Sequence, residues 1–415
     1  MIEIKMLGGA SEVGRSCFLV DTGVEKFLLD CGLNAQEFLR PIDPPMNLDG
    51  VFLSHSHLDH SGLIPELYKK GYNKKVYLTQ PTLELAGLLL RDAIKVQKRN
   101  QREPLFLQHD IESFEHMAEA VDYHKFIEFS KSVAEFRDSG HIPGSASTLI
   151  DTGKERLLYT GDMNTSDSLL LKGAHSSYPD IDVLMCESTY SYKNHPHRAD
   201  LVKNLKDHIL NIVENGGIAL MPCFSIGRTQ ELLLAIHDLG LPIFMDGMGI
   251  EATRIILDNG KFISDESTLR KAFSKAHKIK STPERQRATE KPGIIITSGG
   301  MLQGGPSHFY IKKLHRREDS AVILTGYQAE GTPGKTLAER GRFISDGLDI
   351  EVKMNVQTMD FSAHIGRDNL FKFIEKVNPK KVIPVHGEFI PEFVAELKEK
   401  GFDAIEAKNG QTINV

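Results

Sequence analysis

Several things are missing from this 415-residue chain, and each absence excludes something. It has no uncharged apolar stretch of the roughly 18 residues a membrane helix needs, so no span is expected. The start, Met1-Ile2-Glu3-Ile4-Lys5-Met6, lacks the basic and apolar regions of a secretory leader, which points to a cytoplasmic protein. Cysteines are few (Cys17, Cys31, Cys186 and Cys223), scattered and without a CxxC pair, and read as reduced, mostly buried thiols. No repeat or low-complexity segment occurs. A net charge of −6 does not mark a nucleic-acid binder, although net charge says little about a cleft that carries bound cations. With 40% apolar and 26% charged residues, the composition is globular, and the length suits two or three domains.

The most informative segment is His55-Ser56-His57-Leu58-Asp59-His60, three histidines and a carboxylate in six positions. It follows Val51-Phe52-Leu53-Ser54, a short apolar run that reads as a buried strand. His55 and His57 alternate about a small Ser and point the same way in an extended turn. Asp59 and His60 then face a neighbouring point. Imidazoles and a carboxylate are a ligand set for Zn²⁺ or a similar ion. A merely solvated His-rich loop is the bland alternative, and it accounts poorly for so packed a pattern.

Around this loop the first segment is β-rich, with strands expected over 2–7, 16–21 and 26–29, then 133–137, 148–151, 156–160 and 182–186. Helices are expected over 62–70 and 82–102. From about 198 helices and strands alternate, with strands at 218–221, 242–245, 293–297 and 321–325. This βα pattern implies a parallel sheet flanked by helices. A final strand–helix–strand–helix set covers 351–356, 368–377, 382–385 and 391–400.

Four loop residues are too few for two ions, so partners should come from elsewhere. Asp30 precedes Cys31-Gly32 at the end of one strand. His141 lies in Ser139-Gly140-His141-Ile142-Pro143-Gly144, and Asp162 ends Thr160-Gly161-Asp162. Each is a polar group at a strand end, where a rigid scaffold presents ligands, although Asp-Gly pairs are also ordinary turn residues. Taken in this order with the loop, they resemble the metallo-β-lactamase superfamily. The resemblance implies an αββα sandwich with a dinuclear zinc site of two Zn²⁺ per chain. His55, His57 and His141 would hold the first ion, Asp59 and His60 the second, and Asp162 would bridge. Asp30 would fix a ligand or the water network.

Three later segments narrow the choice: Cys186-Glu187-Ser188-Thr189-Tyr190, Phe361-Ser362-Ala363-His364 and Pro384-Val385-His386-Gly387-Glu388. They are similar to the additional motifs of the β-CASP nucleases, in which a second domain is inserted into the lactamase-like one. The resemblance implies a first part over 1–197, an inserted β-CASP domain over 198–345 and a C-terminal part over 346–415. His386 would complete the second ion's ligands. Glu187 would orient His364, a general acid, and Asp59, Asp162, Glu187 and His364 would carry the catalysis. Segments 222–231, 298–301 and 326–332 also look β-CASP-like. There Arg228, Ser298, Gly299 and Gly300, with Ser362, are candidate phosphate contacts, weighed against a structural salt bridge for Arg228 and a plain turn for the glycines. Residues 261–291 carry nine Lys and Arg against four Asp and Glu, either a solvated helix face or a patch that steers RNA.

The implied activity is zinc-dependent hydrolysis of RNA phosphodiesters, leaving 3′-OH and 5′-phosphate ends, with single-stranded RNA as substrate. His386 resembles the RNA-processing rather than the DNA-repair branch. The chain resembles the short, KH-less archaeal group, homologues of the polyadenylation cleavage factor. RNase J-type 5′→3′ exonuclease action is the alternative, and a homodimer is a candidate assembly. A DNA nuclease is a further reading. A small-molecule hydrolase would need neither Glu187, His364 nor the inserted domain. An inactive RNA-binding subunit should have lost metal ligands, and none is lost.

Overall fold

A computed structural model describes residues 2–34 and 38–415. The chain divides into two compact units. The first holds Met1–Asp167, Lys172–Asn194 and His364–Val415, the second Ser168–Leu171 and His195–Ala363.

Two sheets make the first unit. One has seven strands in the order Thr412–Asn414, Glu3–Gly8, Cys17–Asp21, Lys26–Leu29, Gly50–Phe52, Val76–Leu78, Ala118–Ala120. The other has six, in the order Lys381–Val385, Val183–Glu187, Arg156–Tyr159, Ala146–Asp151, Val133–Asp138, Phe126–Glu128. Alternation along the strands sends Ile4, Met6, Phe18, Val20, Phe27 and Phe52 of one sheet into a shared core with Phe136, Ile150, Tyr159, Met185 and Val385 of the other. The opposite faces are apolar as well. Leu28, Val51 and Leu53 pack on Ile64, Leu67, Ala86, Leu90 and Phe114 of the helices Ile64–Lys69, Gln80–Arg99 and Gln108–Met117. Leu158, Leu184 and Val382 pack on Leu370, Ile374, Phe393 and Leu397 of the helices Arg367–Val377 and Ile390–Glu399. Strands covered on both faces read as continuous apolar runs, and the outcome is the expected αββα sandwich.

The second unit is built on a six-stranded parallel sheet in the order His277–Lys278, Ile243–Asp246, Gly293–Ser298, Ile218–Cys223, Ala321–Leu324, Asn355–Thr358. Residues 346–363, assigned to the C-terminal part on sequence grounds, belong with this unit. The strand expected over 351–356 is really two pieces. Arg342–Ser345 and Leu348–Glu351 form a hairpin, turning at Asp346-Gly347 with φ of 53° and 73°. An Asp-Gly pair is a strong hairpin signal because both residues tolerate positive φ. Buried Val352 and Met354 then lead into Asn355–Thr358, which pairs in parallel with Ala321–Leu324. No helix among the described residues is long and apolar enough to cross a membrane.

Candidate metal centre

The His-rich segment leaves the strand Gly50–Phe52 and winds into a single helical turn, Leu58–Ser61. Its backbone is fastened to the neighbouring strand ends: Cys31 N–H donates to His60 O (2.8 Å) and Ser16 N–H to Asp59 O (2.8 Å). The approach is close enough that a Cβ on Gly32 would lie 1.7 Å from Asp59 O, so glycine is required there.

Three imidazoles converge. His57 Nδ1 is 3.2 Å from His55 Nε2 and 3.3 Å from His141 Nε2. Asp162 Oδ2 is 3.5 Å from His55 Nε2 and 3.7 Å from His141 Nε2, which closes a four-ligand set. The other carboxylate oxygen, Oδ1, faces a second set, 3.3 Å from His60 Nε2 and 2.9 Å from His386 Nδ1. His386 Nε2 lies 3.4 Å from Asp59 Oδ2. Asp162 thus stands between two groups of donors, one oxygen to each.

The donors are oriented from behind. Asp30 is fully buried and accepts four hydrogen bonds at 2.7 Å: from Ser54 N–H and Oγ–H, from Tyr159 O–H and from His60 Nδ1–H. Because Ser54 Oγ donates to Asp30, it can only accept from His55 Nδ1 (3.1 Å). Both rings therefore donate from Nδ1, which directs Nε2 toward Asp162. Asp30→Asn should lower metal affinity about 10- to 100-fold, as loss of such an orienting carboxylate does elsewhere. Metal titration of wild type and variant checks this, and equal affinities would show that Asp30 is only a structural acceptor.

The residues fit a cation on an observation independent of family. The buried His60 Nε2, Asp162 Oδ1 and His386 Nε2 lie in ion-pair reach of one another or of Asp59 yet make no hydrogen bond of good geometry. Unmatched donors and acceptors at such depth cost about 1–3 kcal/mol each, more when charged, and a coordinated ion would satisfy them. The local electrostatics agree in direction. Burial pulls the His55 and His57 rings below their usual range. At His60 burial acts the same way, but Asp162 and Asp30 outweigh it and hold the ring well above. Asp162 and Asp59 likewise raise His386, against burial, to about 10. Burial pushes the Asp162 and Asp59 carboxyls up, yet His386 and His60 outweigh it and hold both below the usual range.

Beside this cluster, His364 Nδ1 is 3.1 Å from each oxygen of the buried Glu187. Glu187 Oε1 also accepts from Met163 N–H (2.7 Å), which fixes the carboxylate. Burial lowers the His364 ring, but Glu187, aided by Asp162, outweighs it and raises it. Asp162, Glu187 and His364 are near enough to hold an ion, and Glu187 is also hydrogen-bonded to His364 and Met163. Sequence reasoning missed three supports: Ser54, Tyr159 and Thr189, whose Oγ1 lies 3.2 Å from His386 Nδ1. Ser54 adjoins His55 and Thr189 lies two places after Glu187, but nothing in the sequence marks Tyr159.

Comparison with known proteins supplies the family. The Beta-Casp domain model matches residues 229–337, and the Zn-dependent metallo-hydrolase RNA specificity domain matches 349–406. Residues 2–212 match the model of the anti-Pycsar protein Apyc1. A probable RNase of Methanocaldococcus jannaschii is 36% identical over 100% of both chains. The chain belongs to the β-CASP ribonuclease family, on the metallo-β-lactamase fold. The RNase aCSPSF2 of Saccharolobus solfataricus is 35% identical over 99% of this chain and 85% of its own. A solved structure of a protein of unknown function from Enterococcus faecalis, 15% identical, shares the fold with a TM-score of 0.64 over 99% of both chains.

The remaining β-CASP site candidates lie in the second unit. Arg228 is not held out to solvent. It is 8% exposed, donates from Nη1 to the Thr325 carbonyl and is pulled to about 10 by burial and by Arg198. Ser298 is buried too, with Oγ 2.9 Å from Ser225 Oγ and accepting from Gly249 N–H (3.2 Å). Gly299 takes φ of 102°, and the Gly300 carbonyl accepts from Gln328 Nε2 (2.9 Å). Ser362 N–H donates to Asp360 Oδ1 (3.2 Å), and its carbonyl accepts from Arg198 Nη2 (2.7 Å). In the basic stretch 261–291, Arg285 is committed to Asp246 (2.6 and 3.0 Å) and Lys278 to the Phe273 and Ala276 carbonyls. Fewer of its charges than the sequence suggests are left to face solvent.

Proposed function

We propose that this β-CASP protein is a zinc-dependent ribonuclease that hydrolyses single-stranded RNA to 3′-OH and 5′-phosphate ends. The observation that carries the reading is the Glu187–His364 pair set against a histidine–carboxylate cluster with two donor sets sharing Asp162. His55, His57 and His141 with one oxygen of Asp162 would hold one Zn²⁺, and Asp59, His60 and His386 with the other oxygen a second. When bound, the two ions supply charge stabilisation at the attacked phosphate and a water acidic enough to be deprotonated near neutral pH.

The chain's own residues do the rest. Asp162 spans both donor sets and fixes their spacing. Glu187 takes the Nδ1 proton of His364 in a hydrogen bond and keeps the ring protonated, so that Nε2 can deliver a proton to the leaving 3′-oxygen. A lactam or thioester hydrolase has no leaving alkoxide of this kind to protonate.

A time course on RNA labelled at either end, bearing 5′-triphosphate, monophosphate or hydroxyl, tests the reading. Products ending in 3′-OH and 5′-phosphate support it. Internal ladders mean endonuclease action, whereas mononucleotides favoured by a 5′-monophosphate mean an exonuclease. Cleavage of matched DNA but not RNA would overturn the substrate assignment.

Metal removal gives a second check. Elemental analysis of protein purified without chelator should find about two Zn²⁺ per chain, since the donor set exceeds the four ligands of one tetrahedral ion. Stripping them should lower the melting temperature, because an ion that binds only the folded state at a thousand times its Kd contributes about 4 kcal/mol. One metal or none at full activity would remove the dinuclear assignment.

A further inference from the structure

An aromatic row runs outward from His364. The ring centroid of Tyr190 is 5.9 Å from that of His364, Tyr192 is 6.0 Å from Tyr190, and Phe389 is 4.6 Å from Tyr192. Tyr190 is buried, but Tyr192 is 47% exposed and Phe389 39%, although each is a large ring that folding would normally cover. Lys193 Nζ stands 4.8 Å over the Tyr190 ring, which adds a cation to the row.

The rings are rigidly mounted on the two loops that carry Glu187 and His386. Those loops are joined where Ser188 Oγ–H donates to the Val385 carbonyl (2.8 Å) and Thr189 Oγ–H to the His386 carbonyl (3.1 Å). Phe389 also sits at the N-terminal boundary of the helix Ile390–Glu399, where its backbone is held. Exposed flat rings on fixed backbone, a neighbouring ammonium and continuity with a phosphodiester-cleaving site match one chemistry: unstacked nucleobases joined by phosphates.

We propose that Tyr192 and Phe389 form a stacking platform for bases of single-stranded RNA on the upstream side of the cut. This rests on the ribonuclease reading above. The row begins at the group that protonates the leaving 3′-oxygen, and that oxygen belongs to the upstream nucleotide. The bases it takes are therefore those 5′ of the scissile bond. Neither residue is among the donors of the metal site, so their effect is expected on affinity, through the substrate.

The test uses the metal-loaded protein and short RNAs with a non-hydrolysable phosphonate linkage at the cut, carrying the fluorescent base 2-aminopurine at successive positions. Binding should quench the fluorophore at upstream positions and leave downstream ones bright. Tyr192→Ala and Phe389→Ala should each weaken binding of base-bearing RNA by roughly 5- to 150-fold and remove the quenching. Both should keep their metal content, and an RNA abasic at the quenched position should lose little further affinity. Tyr192→Phe, which keeps the ring, should bind and quench like wild type. If RNA is cleaved but no upstream position is quenched, or if the Ala variants bind as wild type does, the platform alone is overturned. Loss of self-association instead of RNA affinity in the Ala variants overturns it too, assigning the rings to a second copy. If the wild type neither binds nor cleaves RNA, the ribonuclease reading falls, and the platform with it.

Discussion

Asp162→Ala should abolish RNA cleavage and lower the metal content from about two ions per chain. The carboxylate gives one oxygen to each donor set, at 3.5 Å from His55 Nε2 and 3.3 Å from His60 Nε2, so no single-site change touches more of the centre. Charge stabilisation by bound ions is worth several kcal/mol, and its loss should reduce the rate by about 10³-fold or more. The fold should survive in large part, because the site lies at strand ends while the core clusters are built from other side chains. RNA binding should persist better than chemistry, since affinity is spread over many phosphate contacts. Asp59→Ala should behave alike, with loss confined to the set it shares with His60 and His386. Cleavage at near wild-type rate by either variant would mean that the ligand assignment is wrong.

His364→Ala should slow cleavage by about 10²- to 10⁴-fold while keeping both metals. The residue bonds Glu187 at 3.1 Å and stands 3.9 Å from Asp162, so metal content and rate together separate an acid from a ligand. Replacing the leaving 3′-oxygen by sulfur, which needs little protonation, should restore much of the lost rate. Glu187→Gln should give a milder form of the same defect, because it removes the charge that raises the His364 ring. If His364→Ala loses an ion, or is equally defective on oxygen and sulfur substrates, His364 is a ligand or a positioning group. The proton would then have to come from a water.

Much of the centre is legible in the amino-acid sequence, for local reasons. A dense run of imidazoles and a carboxylate after an apolar strand has few other uses, and Asp30, Asp162, Glu187 and His386 each sit where an apolar run stops, whereas His141 and His364 lie in short polar turns. Those runs are long because both faces of each sheet are covered, so the strands that aim the ligands are visible too. Contacts group residues 346–363 with the second unit, while the RNA specificity domain model begins at 349, and a Gly-Leu-Asp-Ile-Glu-Val stretch looks the same whether it closes a hairpin or enters a sheet. Only parallel pairing with Ala321–Leu324 decides which unit holds Asn355–Thr358.

By itself the sequence determined which groups bear charge and can bind a metal, and the order of strands that present them. Tertiary structure alone decided how they are tuned. Tyr159 reaches Asp30 across 129 positions of chain, and Glu187 reaches His364 across 177. Arg228, a phosphate clamp by residue type, is buried against a backbone carbonyl, whereas Tyr192 and Phe389, which no motif marks, are left exposed at the outer end of a row of rings that starts at His364. Residue type and spacing are local properties of the chain. Hydrogen-bond partners, burial and the field at a buried ring depend on contacts between distant segments, which exist only once the sheets have packed.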